Sequence, residues 1–231
     1  MRLGVFGGTF NPIHFGHLRT AEEVRHKLNL DTIIFVPSGN PPLKSLDVPD
    51  ARHRYAMAQL ATASNANFTV SDVELQQKEK SYTVNTLRKL HETYPQDELF
   101  FILGADAFLD IPNWWQPDKL TGMADFIVVT RPGLDSKEIS RSPYIAHGCN
   151  SPERAGGGDM SQDAKGPVSF TRNDRKQCFV LESGRTVVFV PVTPLDISST
   201  DIRILVKEHK SIRYLLPENV EEYICQHRLY R

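Results

Sequence analysis

The sequence predicts an α/β fold built on buried parallel strands, and three observations carry that prediction. Short apolar runs rich in β-branched and aromatic residues recur along the chain: Leu3 to Phe6, Thr32 to Pro37, Leu99 to Leu103, Asp125 to Thr130 and Arg185 to Val192. Between several of them lie stretches whose apolar residues keep three- and four-residue spacing, the mark of amphipathic helices. The first run passes directly into Gly7-Gly8-Thr9-Phe10-Asn11-Pro12-Ile13-His14-Phe15-Gly16-His17, a glycine-rich strand-to-helix turn. Backbone N–H groups approach an anion closely where side chains are missing, and the following helix N-terminus adds unpaired donors, so this is a phosphate site.

The bulk properties bound the rest. A chain of 231 residues with 40% apolar content supports a sizeable core in one domain. The net charge is −1, so any anion site must come from local clustering, and nothing global points to nucleic acid or an anionic membrane. Cys149, Cys178 and Cys225 are odd in number and widely spaced, which favours free thiols in a reducing compartment over a disulfide framework or a zinc knuckle. No secretory leader or membrane-spanning run is apparent, and the expected location is the cytoplasm.

Taken in order, Leu18, Ala21, Val24 and Leu28 give the first helix its apolar face. His17 sits in its first turn and His14 one turn earlier, both in reach of one anion. Thr32 to Pro37 reads as a buried parallel strand, followed by the stiff loop Ser38 to Lys44, whose prolines present Lys44 at a strand's C-terminal end. Asp50 can cap a helix carrying Ala56, Met57, Leu60 and Ala61, with Arg54 near its N-terminal end, and this helix reads as mostly structural. Phe68 to Leu75 alternates as a strand, and Ser81-Tyr82-Thr83 opens a helix through Val84, Leu87, Leu90 and Tyr94. The strand Leu99 to Leu103 closes on Gly104-Ala105-Asp106, where an acid either caps or meets a ribose. The tryptophans Trp114 and Trp115 are adjacent; two core aromatics, or one packed and one free to stack, both fit the pattern. Arg131 follows the strand Asp125 to Thr130 and either meets an anion or caps. Residues 135 to 184, with Gly156-Gly157-Gly158 amid polar residues, read as a mobile surface insertion; Arg172, Arg175 and Lys176 within it form a solvated basic face. A strand over Arg185 to Val192 delivers the chain to Ile197-Ser198-Ser199-Thr200-Asp201-Ile202-Arg203, where Ser198 and Asp201 have capping-box spacing. Tyr214 to Ile224 ends in a short amphipathic helix.

The run GGTFNPIHFGH together with ISSTDIR resembles the nucleotidyltransferase superfamily marked by an HxGH-type turn and an ISSTxIR-type helix start, and most resembles the bacterial nicotinate-nucleotide adenylyltransferases. The resemblance covers most of the chain outside residues 135 to 184. It implies a doubly wound, Rossmann-like parallel sheet with helices on both faces. It further implies adenylyl transfer from ATP to nicotinate mononucleotide, giving deamido-NAD and pyrophosphate, so that NAD is a downstream product and not a cofactor. Carried over residue by residue, Gly7, Gly8, Thr9, Phe10, His14, Gly16, His17, Ser198, Ser199, Thr200 and Arg203 would hold ATP. His17, Arg203 and His14 would stabilise the transition state. Lys44, Tyr82, Thr83, Asp106, Trp114, Trp115 and Arg131 would hold nicotinate mononucleotide. The family usually shows a histidine where Leu43 stands, while Lys44 matches its basic position.

The attacking phosphate is already ionised, so catalysis reduces to in-line positioning and charge neutralisation. Magnesium would ride on the triphosphate, since no carboxylates cluster to bind it. A zinc reading of His14 and His17 lacks a third ligand, and a dehydrogenase reading lacks GxGxxG. The alternatives are another phosphate acceptor, phosphopantetheine or nicotinamide mononucleotide, and a nucleotide-binding regulator without turnover.

Overall fold

The computed structural model describes residues 1–41, 48–77, 80–130, 142–149 and 178–231. Its frame is an eight-stranded sheet of β1 (Arg2–Gly8), β2 (Thr32–Pro37), β3 (Phe68–Val70), β4 (Glu98–Gly104), β5 (Asp125–Thr130), β6 (Ile145–Gly148), β7 (Cys178–Leu181) and β8 (Thr186–Pro191). The strand order is β3-β2-β1-β4-β5-β8-β7-β6. β1 to β5 and β8 pair in parallel, while β7 pairs antiparallel with both β8 and β6. The chain starts at the centre, builds one half outward through β2 and β3, then returns to build the other from β4. This reversal between β1 and β4 is a topological switch point, the place where open parallel sheets bind ligands.

Among the described residues, seven α-helices cover the sheet: α1 (Phe15–Lys27), α2 (Ala51–Thr62), α3 (Thr83–Thr93), α4 (Ala105–Leu109), α5 (Pro117–Thr121), α6 (Ser199–Lys207) and α7 (Glu218–Gln226). Strand side chains alternate between two cores. Ile33, Phe35, Phe100 and Ile102 pack with Ala21 and Val24 of α1, Met57 of α2 and Val220 and Ile224 of α7. Ile34, Val36, Phe101 and Leu103 pack with Leu87 and Leu90 of α3, Phe108 of α4 and Leu120 of α5. Both faces of the central strands are therefore buried, which is why these runs are continuously apolar rather than alternating. Each such aliphatic or aromatic side chain contributes about 1.5–3 kcal/mol of burial energy.

Three expectations need correction. Gly7 and Gly8 are the last residues of β1, paired with Val36 and Pro37, so the turn proper begins at Thr9. The strand expected over Phe68 to Leu75 stops at Val70: the Ser71 hydroxyl accepts the Val73 N–H, and Leu75 N–H bonds back to Asp72, curling the chain into a turn. Cys149 and Cys178 form a disulfide rather than free thiols, their Cα atoms 5.4 Å apart. Antiparallel pairing of β6 and β7 juxtaposes them, with the Cys149 N–H donating to the Cys178 carbonyl, a proximity their 29-residue separation conceals. Of the stretch 135 to 184, the described parts carry β6 and β7 and extend the sheet edge. Among the described residues, no helix is long and apolar enough to cross a membrane.

Candidate active site at the switch point

The C-terminal ends of β1 and β4 open onto two cavities. The first, about 440 Å³, is lined by His14, Gly16, His17 and Thr20, by Gly104, Ala105 and Asp106, and by the segment after β8 through Ile197. His14 is the extended N-cap of α1, and its backbone N–H donates to His17 Nδ1 at 3.2 Å. With Nδ1 accepting, the neutral His17 ring carries its proton on Nε2 and is a donor there. The two rings lie 3.8 Å apart. Phe10 packs edge-on against His17, as Phe6 does more loosely. Burial pushes the pKa of His14 down to about 4, and burial with the neighbouring His14 pushes His17 down to about 3. Both rings are thus neutral hydrogen-bonding groups at pH 7. His14 Nδ1 is buried without a hydrogen-bond partner. A Cβ on Gly16 would stand 2.9 Å from the His14 ring, so only glycine leaves room for it.

The cavity's far wall is pinned to α1 by Glu23. Its carboxylate accepts the Thr193 N–H at 3.2 Å and pairs with Arg19 and Lys27. Burial alone would raise this carboxyl, but the hydrogen bonds from Thr193, Lys27 and Arg19 prevail and hold it at about 2.

The turn between β1 and α1 has no ladder of its own, and Phe10 sits in it at φ 45. Its carbonyls are gripped from behind. Arg54 Nη1 donates to the Thr9 carbonyl at 2.8 Å, Arg203 Nη1 to the Asn11 carbonyl at 2.8 Å, and Ser199 Oγ to the Pro12 carbonyl at 2.8 Å. Arg54, near the N-terminal end of the helix read as mostly structural, is 1% exposed. Its other nitrogens reach the carbonyls of Pro49 and Gly39. Burial lowers its pKa below the usual arginine value.

The second cavity, about 510 Å³, is lined by Tyr82 and Thr83 at the start of α3, by Asp110, Asn113, Trp114 and Trp115, and by Thr9 and Pro41. Tyr82 is the N-cap of α3 and its side chain does not cap; the Asn85 N–H donates to the Tyr82 carbonyl at 2.9 Å, which leaves the Thr83 and Val84 N–H groups beyond the reach of any carbonyl of the helix. The tryptophans divide. Trp114 packs on Phe101 and donates its indole N–H to Asp110 at 3.1 Å, whereas Trp115 is 54% exposed and stacks on Tyr82, rings 5.4 Å apart. A smaller cavity of about 210 Å³ lies over Gly7, Gly8 and Thr9 and reaches Glu74, Thr83 and Trp114. Glu74 is buried, accepting from Thr86 Oγ1 and from the Gly39 N–H at 3.3 Å. A Cβ on Gly39 would come 2.1 Å from the Glu74 carbonyl oxygen.

Most sequence-selected residues therefore gather at the switch point. Asp106, expected with the pyridine nucleotide, lines the histidine cavity. Thr9, expected with ATP, lines the tryptophan cavities. The side chain of Phe10 is in the core, 3% exposed. The hydroxyls of the second motif are already engaged: Ser198 caps Asp201, Ser199 holds Pro12, and Thr200 accepts from Arg203 at 3.3 Å. Leu43, Lys44, Arg131, Arg172, Arg175 and Lys176 lie outside the described residues. Arg54, Glu74, Glu23 and Asp110 were missed; a charged residue's burial has no local signature when its partners come from other elements.

Residues 5–204 match the cytidylyltransferase-like family. Over 231 residues the chain is 40% identical to a probable nicotinate-nucleotide adenylyltransferase of Geotalea daltonii, covering 100% of this chain and 98% of that one. It is 42% identical, with the same coverage, to the protein of that description from Syntrophotalea carbinolica. In fold it resembles the Plasmodium falciparum nicotinic acid mononucleotide adenylyltransferase complexed with NaAD, with TM-score 0.69 at 18% identity over 99% of this chain and 97% of that one. Sequence likeness carried across the full length of such relatives, on a shared fold with the histidine turn at its switch point, establishes that the chain belongs to the nicotinate-nucleotide adenylyltransferase family.

Proposed function

We propose that the protein transfers the adenylyl group of ATP to nicotinate mononucleotide, forming deamido-NAD and pyrophosphate in the biosynthesis of NAD. The observation that carries this reading is the pairing of two unlike cavities around one strand end: histidines and a helix N-terminus in one, aromatic rings and a second helix N-terminus in the other.

An oxygen of the acceptor's 5′-phosphate forms a bond to the α-phosphorus of ATP as the bond to the β-phosphate oxygen breaks, and pyrophosphate leaves with the electron pair. The nucleophile is already ionised, so no general base is required. His17, presenting Nε2–H, and His14 beside it donate to phosphate oxygens, and Arg203 adds charge through the N–H donors not committed to Asn11 and Thr200. Being neutral beforehand, the histidines cost no desolvated charge in the free protein, and an incoming polyphosphate favours their protonation. Magnesium carried on the triphosphate would supply further neutralisation.

On the acceptor side, the first-turn N–H groups of α3 meet the pyridine carboxylate, and an indole receives the ring. An amide in that position would face donors with its own NH₂, so nicotinate is preferred over nicotinamide. Lys44 and Arg131 complete the acceptor's phosphate contacts, Asp106 binds from the ATP side, and the protein works in the cytoplasm. Pyrophosphate release with ATP and magnesium, compared for nicotinate mononucleotide, nicotinamide mononucleotide and phosphopantetheine, tests the reading. A strong preference for the first is expected; equal use of the second removes the carboxylate assignment, and preference for the third removes the pyridine pocket.

A further inference from the structure

Tyr230 occupies a place that neither the family reading nor the mechanism accounts for. It is the penultimate residue of the chain, is only 8% exposed, and lies in the core cluster with Leu229, Ile13 and Ile202. Its hydroxyl donates to Asn11 Oδ1 at 2.8 Å, across 219 positions of sequence. Its backbone is in the left-handed region at φ 63, a conformation that non-glycine residues seldom adopt. Burial in that core needs only a ring; the hydroxyl and the strained backbone are spent on reaching one amide in the turn before His14.

That amide is at the middle of the gripped segment. Arg54 holds the carbonyl two residues before it, Arg203 holds its own carbonyl, and Ser199 holds the next. These three act on backbone oxygens and fix the path of the chain, while Tyr230 acts on the Asn11 side chain and fixes its orientation. The tyrosine is also near both guanidinium groups: their charges favour its ionised form, but burial dominates and raises its pKa, so it stays a neutral donor. Because α1 begins at the end of this turn, a rotation of the Asn11 unit is transmitted to the position of the His14 and His17 rings.

We propose that Tyr230 is a positioning residue for adenylyl transfer, holding Asn11 so that the turn presents the histidine pair to the triphosphate. The inference rests on the reading that the histidine cavity binds ATP. Tyr230→Phe keeps the ring and removes the donor; Asn11→Ala removes the acceptor and keeps the tyrosine. ATP affinity, read by calorimetry with ATP and magnesium alone, and kcat from pyrophosphate release are measured for wild type, each single variant and the double variant, alongside the unfolding midpoint.

Loss of one hydrogen bond to a buried acceptor predicts about a tenfold fall in ATP affinity or kcat for Tyr230→Phe. In the Asn11→Ala background the same change should have no further effect. A Tyr230→Phe protein with a lowered unfolding midpoint but unchanged affinity and kcat makes the tyrosine purely structural and overturns the proposal; equal effects of Tyr230→Phe with and without Asn11 do the same. If Tyr230→Phe does not fold, Asn11→Ala alone reads the contact, and wild-type affinity and kcat in that variant reject it. Tight ATP binding by wild type without pyrophosphate release when nicotinate mononucleotide is supplied overturns the functional reading alone, and the affinity cycle still decides the role of Tyr230.

Discussion

Arg203 and Asn11 are joined by a hydrogen bond of 2.8 Å across 192 residues of sequence, from the first turns of α6 to the carbonyl in the middle of the β1 to α1 turn. The two motifs are thus one mechanical unit, and the guanidinium proposed to meet the phosphates also braces the turn. A lysine offers charge but no planar fork, so Arg203→Lys cannot hold Asn11 and Thr200 while reaching phosphate. We expect kcat to fall by on the order of 10²-fold, as for removal of a transition-state donor. Retention of more than half the wild-type turnover in steady-state pyrophosphate release would show that charge alone suffices.

His17→Ala should remain folded. Its Nδ1 accepts the His14 N–H, a cap-like bond whose loss costs about 1 kcal/mol. Turnover should drop on the order of 10²–10³-fold. Circular dichroism with single-turnover kinetics checks both halves, and near-wild-type turnover would remove His17 from its assigned role.

The histidine pair also predicts acid sensitivity. His14 and His17 have folded values of about 4 and about 3, below the 6.5 of the unfolded chain. Between those limits the unfolded state binds more protons, so the fold loses stability as pH falls. Their contribution is complete above pH 6.5 and drains progressively toward 3. Glu23, depressed from 4.5 to about 2, acts in the same direction but only at lower pH, leaving the interval from 6.5 to 5 to report the histidines. Urea midpoints measured across that interval should decline, and a His14→Gln, His17→Asn double variant should flatten the decline. An equally steep decline in the double variant would point to other groups.

Gly16→Ala tests the packing of the turn. The added methyl would sit 2.9 Å from a His14 ring that is only 6% exposed and has little space to yield. Overpacking of this kind costs about 1–3 kcal/mol. The ring must shift, so kcat should fall together with the unfolding midpoint; a variant with unchanged activity would mean that the ring's placement is not critical.

The two tryptophans should separate in kinetics. Trp115 is 54% exposed and stacks on Tyr82, so Trp115→Ala should raise the KM for nicotinate mononucleotide severalfold with little change in unfolding midpoint. Trp114 is anchored to Asp110 and packed on Phe101, and Trp114→Ala should lower the midpoint by an amount set by a loss of about 3–5 kcal/mol. The reverse pattern would exchange their roles.

Much of this was legible in the sequence. β2 and β5 span Thr32–Pro37 and Asp125–Thr130 as expected, because a buried parallel strand is a continuous apolar run with abrupt ends. The apolar faces of α1 and α3 followed from Ala21, Val24, Val84, Leu87 and Leu90, and the Asp50 and Ser198 caps from local spacing. What escaped were relationships made only in space. Arg54 looks like any exposed helix arginine until the Thr9 and Gly39 carbonyls close on it. Glu74 falls inside the strand expected over Phe68 to Leu75, but the strand ends before it. The Cys149–Cys178 bond required knowing that β6 and β7 are neighbours.

Among the described residues, the histidine cavity and the larger tryptophan cavity share no lining residue, and the Gly7-Gly8 end of β1 adjoins the smaller space leading to the second. Changes confined to one wall therefore leave the other wall intact. Acceptor preference can be rewritten by mutation around α3 and the tryptophans while the phosphate-handling half stays as it is. For the same reason, an inhibitor built from an aromatic acid tethered to an anionic tail would engage two independent footholds. Once either end is bound, the other becomes an intramolecular partner, and the gain depends on the linker matching the span across the strand end rather than on the strength of either end.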